Sequence, residues 1–77
     1  MKNTYKTTKD KTFHAYNVEV SNGNKYVVEF NREAPKEDSW YIFEGDDCIN
    51  GFLLVSFSTK RECMEWIKYY NEPSKRI

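Results

Sequence analysis

At 77 residues the chain is one domain near the lower size limit for independent folding, burying only about 60% of the surface its unfolded form exposes. Six Tyr, five Phe and two Trp supply core material despite a mean hydropathy of −0.87, which argues against a disordered chain. A net charge of zero argues against a protein devoted to coating DNA or anionic lipid, and no run reaches the 18 or so apolar residues of a membrane span.

The opening stretch MKNTYKTTKDK carries four Lys and one Asp. Without an apolar run it reads as a flexible basic tail over residues 1–11, neither secretory signal nor anchor. From Phe13 the pattern turns to period two, with His14, Tyr16, Val18 and Val20 alternating with Ala15, Asn17 and Glu19, as in a half-buried strand. Tyr26, Val28 and Phe30 repeat the alternation after Asn22-Gly23, which predicts a hairpin. A two-residue turn would set polar residues against the apolar row. A three-residue loop, Ser21-Asn22-Gly23 with Gly23 left-handed, pairs Val18 with Tyr26, Tyr16 with Val28 and His14 with Phe30, and gathers one apolar face.

The connector from Asn31 to Ser39 is charged and broken by Pro35. Trp40 to Phe43 and Phe52 to Phe57 then read as strands apolar on both faces, joined by a turn-rich segment, Gly45 to Gly51. Thr59-Lys60-Arg61-Glu62 is a capping box, and Cys63, Trp66, Ile67 and Tyr70 follow at i, i+3, i+4 and i+7, with Met64 on the flank. Glu72-Pro73 ends that helix. The order β-β-β-β-α, with short connections, predicts an α+β fold: an antiparallel meander over residues 12–72 with one amphipathic helix on one face, and a tail over 73–77. The other face holds Tyr41 and Phe43 with either Phe52 and Leu54 or Leu53, Val55 and Phe57. No second helix covers it.

Catalytic and metal chemistry finds no support. His14 is the single histidine and lies in an aromatic strand row, where packing is the simpler role. A nucleophile needs an adjacent base oriented by a third group, and Cys48, Ser56 and Ser58 sit in no such arrangement. One His and two distant Cys do not give metal-ligand spacing, Asp46-Asp47 lacks the other oxygens of a calcium loop, and the glycines punctuate turns. No cofactor is expected. Cys48 and Cys63 read as free thiols in a reducing, cytoplasmic setting, Cys63 packed on a helix face.

Charge is more informative. Residues 29–47 carry seven acids against Arg32 and Lys36, net −5. Solvated loops explain this simply. A sharper reading joins Glu33, Glu37, Asp38, Glu44, Asp46 and Asp47 to Trp40, Tyr41 and Phe43 as an acidic, aromatic partner-binding edge, suited to a basic protein surface such as a nucleic-acid channel. Rings would supply anchoring there and charge would supply steering.

The run Phe57-Ser58-Thr59-Lys60-Arg61-Glu62-Cys63-Met64-Glu65-Trp66-Ile67 resembles the strand-to-helix junction of the arm-binding domain of tyrosine-family integrases, whose Phe-x-Thr-Lys-Lys-Glu-Ala run opens a helix. That resemblance implies a mobile-element origin. Those domains read DNA with a basic sheet, whereas Glu19 and Glu29 flank the strands here. In size and aromatic richness the chain also resembles the small phage-borne proteins that block bacterial defence, anti-CRISPR proteins among them. The resemblance implies a non-catalytic inhibitor acting in the bacterial cytoplasm by occluding a host nucleic-acid-handling defence protein. Two alternatives are a DNA- or RNA-binding module using Lys2, Lys6, Lys9, Lys11, Lys60 and Arg61, and a homodimer that pairs the uncovered aromatic face.

Overall fold

The computed structural model describes residues 3–45 and 51–72. Its strands are β1 (Tyr5–Lys9), β2 (Ala15–Val20), β3 (Lys25–Phe30), β4 (Trp40–Glu44) and β5 (Phe52–Phe57), followed by helix α1 (Lys60–Asn71). All neighbours pair antiparallel in the order β1-β2-β3-β4-β5. The α+β meander with one C-terminal helix stands, with five strands rather than four.

The added strand corrects the reading of residues 1–11 as a flexible tail. Tyr5 pairs with Val20, Thr7 with Val18 and Lys9 with Tyr16. The Tyr5 hydroxyl donates to Glu72 Oε2 at 2.8 Å, which anchors β1 to the end of α1. At the other end of β1, Asp10 Oδ1 accepts from the amides of Thr12 and Phe13. Those two bonds hold the Asp10 carboxyl below the usual range and fix the turn into β2.

The β2–β3 hairpin has the predicted register, Val18 opposite Tyr26 and Tyr16 opposite Val28. Val20 N–H donates to Asn24 O, which leaves Ser21-Asn22-Gly23 as the loop, with Gly23 at φ 102°. His14 lies just outside β2, but its carbonyl accepts from Phe30 N–H and its ring sits 5.0 Å from that of Phe30.

The core fills one side of the sheet. Val18, Val20, Tyr26, Val28 and Ile42 meet Cys63 and Ile67 from α1, with Tyr5, Trp40, Val55, Phe57, Met64 and Trp66 around them. Thr59 caps the helix by accepting from Glu62 N–H at 3.1 Å. Glu62 Oε1 accepts from Ser58 Oγ at 2.6 Å and from Thr59 Oγ1, and these bonds lower its pKa. The buried stripe of α1 is Cys63, Ile67 and Asn71, whereas Trp66 is half-buried and stacks on an exposed Tyr70 at 5.0 Å. Cys63 is a free thiol, pushed up to about 12 by burial; Cys48 lies outside the described residues.

Asn71 ties the helix end to the hairpin. Its Oδ1 accepts from the side-chain amides of Asn22 and Asn24, and its Nδ2 donates to Tyr26 Oη and Ile67 O. Its carbonyl accepts from Asn3 Nδ2.

Between β4 and β5 the register slips at Ile42/Phe43: Ile42 faces Val55, but Phe43 faces Leu53, which leaves Leu54 as an extra residue. Such a bulge re-aims the side chains beyond it. Val55 and Phe57 therefore join the helix side while Leu53 joins Phe43 on the other, a mixture of the two strand sets expected from simple alternation.

Candidate docking face and aromatic end

Residues directly opposite in an antiparallel ladder share a face, so the register defines the open side of the sheet. One row across it runs Thr8, Asn17, Val27, Phe43, Leu53, and the next runs Ala15, Glu29, Tyr41, Ser56. Tyr41 and Phe43 are half-buried and contact each other edge-on, with ring centroids 6.2 Å apart. Val27, in the middle of the first row, and Ala15, at the end of the second, are almost fully enclosed. Phe52, 73% exposed, belongs to the helix-side row opposite Glu44, whereas Leu53, 53% exposed, continues the row of Val27 and Phe43. This forms an apolar strip that ends at the β5 edge.

Carboxylates border the strip on one side. Glu29 pairs with Tyr41, and Asp38 Oδ1 accepts from Ser56 Oγ at 3.1 Å, which holds the 3₁₀ turn Lys36–Asp38 against β5. The row on the far side, Lys6, Glu19 and Lys25, alternates in sign and carries a net charge of +1. Among the described residues, neither Glu29 nor Asp38 has an ion-pair partner.

The residues assigned to an acidic, aromatic edge do not share one surface. Tyr41, Phe43 and Asp38 meet on the open face. Trp40 and Glu44 sit in rows on the helix side, Trp40 opposite Phe30 and Phe57, and Glu44 opposite Tyr26 and Phe52. Glu37 is exposed in the 3₁₀ turn, and Glu33 is exposed in the preceding turn, its amide donating to Asn31 Oδ1. Asp46 and Asp47 lie outside the described residues. Adjacent residues of a strand point to opposite faces, so Trp40 was separable from Tyr41 by alternation alone. Glu29 and Leu53 needed the three-strand register and the bulge.

Trp40 instead belongs to an aromatic cluster at the end of the sheet where α1 begins. His14, Phe30 and Tyr16 lie 5.5, 5.2 and 6.5 Å from its ring. Lys60 Nζ sits 3.7 Å over the centre of the Tyr16 ring, and Lys9 Nζ lies 5.3 Å from it, both in cation–π range.

Among the described residues, no group of three His, Cys, Asp or Glu comes together to hold a metal, and no helix is long and apolar enough to cross a membrane. No family model, curated protein or solved structure matches this chain.

Proposed function

We propose that the chain is a non-catalytic binding module that docks on a protein partner through the open sheet face. The carrying observation is the strip of Tyr41, Phe43 and Leu53 beside the carboxylates of Glu29 and Asp38, which have no ion-pair partner among the described residues. An apolar patch with a polar rim marks an interaction site, and on the side where Glu29 and Asp38 border it the complement is an apolar surface carrying Lys or Arg. Tyr and Phe on a rigid strand lose little entropy when bound, which suits them as anchors.

A surface of that kind lines nucleic-acid channels. The finer form of the reading is therefore a phage or mobile-element inhibitor that occludes a host defence protein in the bacterial cytoplasm. The acid beside the rings supports it: negative charge would take the place of phosphate on the partner.

The test compares wild type with two folded variants, Leu53→Asp and Glu29→Lys/Asp38→Lys, in capture from a bacterial lysate followed by affinity measurement on the purified partner. Both variants should bind at least about tenfold more weakly, a loss of about 1.4 kcal/mol. The double charge reversal should also flatten the salt dependence of association. A partner held equally by all three proteins would refute this face as the docking surface. A dimer in sedimentation that Leu53→Asp dissolves would show that the face is used for self-association instead.

A further inference from the structure

A separate cleft opens on the helix side of the sheet. The connector leaving β3 folds back over the start of β4, closed by Asn31 N–H donating to Ser39 O at 2.7 Å and by Ser39 Oγ donating to Lys36 O. Between this connector and the start of α1 is a cleft of about 300 Å³, lined by Phe30, Trp40, Arg32, Lys36, Ser39 and Ser58. Its volume sits at the small end of ligand clefts, roughly 300–1,000 Å³.

Two kinds of chemistry converge there. Phe30 and Trp40 give a half-buried aromatic wall, whose rings are 5.2 Å apart and tilted by 47°. Arg32 and Lys36 are exposed, and among the described residues neither makes an ion pair or side-chain hydrogen bond. Aromatic surface beside free cations is the combination that holds a base by its π-face and a phosphate by charge. Arg32 adds a planar fork that matches phosphate oxygens. Beyond Trp40 the cluster continues to Tyr16, which carries Lys60 and Lys9. The cations thus extend past the cleft along a line of rings.

We infer that this cleft binds a nucleoside phosphate, with the base against Phe30 and Trp40 and the phosphate held by Arg32 and Lys36. The same chemistry serves a free mononucleotide or one unit of a single strand. Glu33, Glu37 and Asp38 lie on the same connector and oppose the anion, so they set an upper limit on affinity.

The probes are adenosine and uridine monophosphate, and six-nucleotide single strands of adenine or uracil. Binding is read by quenching of Trp40 emission in a Trp66→Phe background and by fluorescence anisotropy of labelled strands at low salt. Arg32→Ala/Lys36→Ala changes only exposed side chains, and an unchanged melting temperature shows that it folds. It should weaken binding at least tenfold, whereas Glu33→Gln/Glu37→Gln should tighten it. Two phosphate contacts give a slope of log K against log salt near −1.4, and recruitment of Lys9 and Lys60 raises it to about −2.8. Mononucleotide binding at least as strong as strand binding identifies the free nucleotide as the source; tighter binding of the strand with the steeper slope identifies the polymer. No binding by any probe at millimolar concentration, or binding indifferent to loss of Arg32 and Lys36, overturns the inference. Leu53→Asp alters the other face on a strand that does not line the cleft, so loss of partner docking with nucleotide binding intact, or the reverse, tells the two proposals apart.

Discussion

Replacing Asn71 with Ala tests how the helix is held to the sheet. Asn71 is 9% exposed and its side chain makes four hydrogen bonds at 2.6–3.1 Å. Asn22 and Asn24 are exposed and can turn to water, so their loss is modest. Tyr26 is 1% exposed, and its hydroxyl would lose a partner inside the core. A net bond is worth about 1 kcal/mol, and an unsatisfied buried hydroxyl costs about 1–3 kcal/mol. Ala is the better helix former by about 0.5 kcal/mol. The balance is a destabilisation of about 2–3 kcal/mol, or roughly 8–20 °C in Tm for a domain of this size. Urea unfolding followed by tryptophan fluorescence should show a lower midpoint with an unchanged slope. Combined with Tyr26→Phe, the cycle should return a coupling of about 1 kcal/mol. A shift of under about 0.5 kcal/mol for Asn71→Ala, or no coupling, would refute the Asn71 tie as a source of stability.

Thr59→Ala removes the acceptor for Glu62 N–H and should cost about 1 kcal/mol in the same urea assay. Gly23→Ala meets no atom within 4 Å, so its expected loss of roughly 1–2 kcal/mol reports the positive φ alone. In a Cys48→Ser background the Cys63 thiol should react with a thiol reagent only on unfolding, because it is buried. Cys63 rises from 9.0 to about 12 and Tyr5 from 10.0 to about 12, each chiefly through burial. Both folded pKa values are raised, so their contribution is complete below about pH 9 and is lost as pH climbs towards 12. Stability measured from pH 8 to 11 should fall, and less steeply in Cys63→Ala.

The parts of the fold that follow from local chemistry were readable. Register in the first hairpin came from matching Val18 to Tyr26 around a three-residue glycine loop, and the helix start came from Thr59 and Glu62. Strand β1 was hidden because Lys6, Thr7, Thr8 and Lys9 look like a solvated tail. Lysines are also what an edge strand carries to discourage pairing, so the same residues fit either reading. Asn71 continues the spacing of Cys63 and Ile67 by one more turn, but a polar residue at that position does not show up in an apolar stripe. The docking face needed the bulge at Leu54, which no alternation rule places, and it was blurred by grouping Trp40 with its neighbours in sequence. The aromatic–cationic cleft depends on a connector folding back, which is tertiary information.

The extra residue at Leu54 also limits how this protein can polymerise. Strand β5 lies at the rim of the sheet and carries no charge from Phe52 to Phe57, the composition expected of a template for fibre growth. A symmetric copy added there must place like-sided residues opposite one another. Centred on Val55, it would set Leu53 against Phe57; centred on Leu54, it would set Leu53 against Val55. Both pairs belong to opposite sides of the sheet. An unbroken symmetric ladder therefore matches only from Val55 to Phe57, and because such a pair consumes the β5 rim of both copies it closes as a dimer and does not propagate.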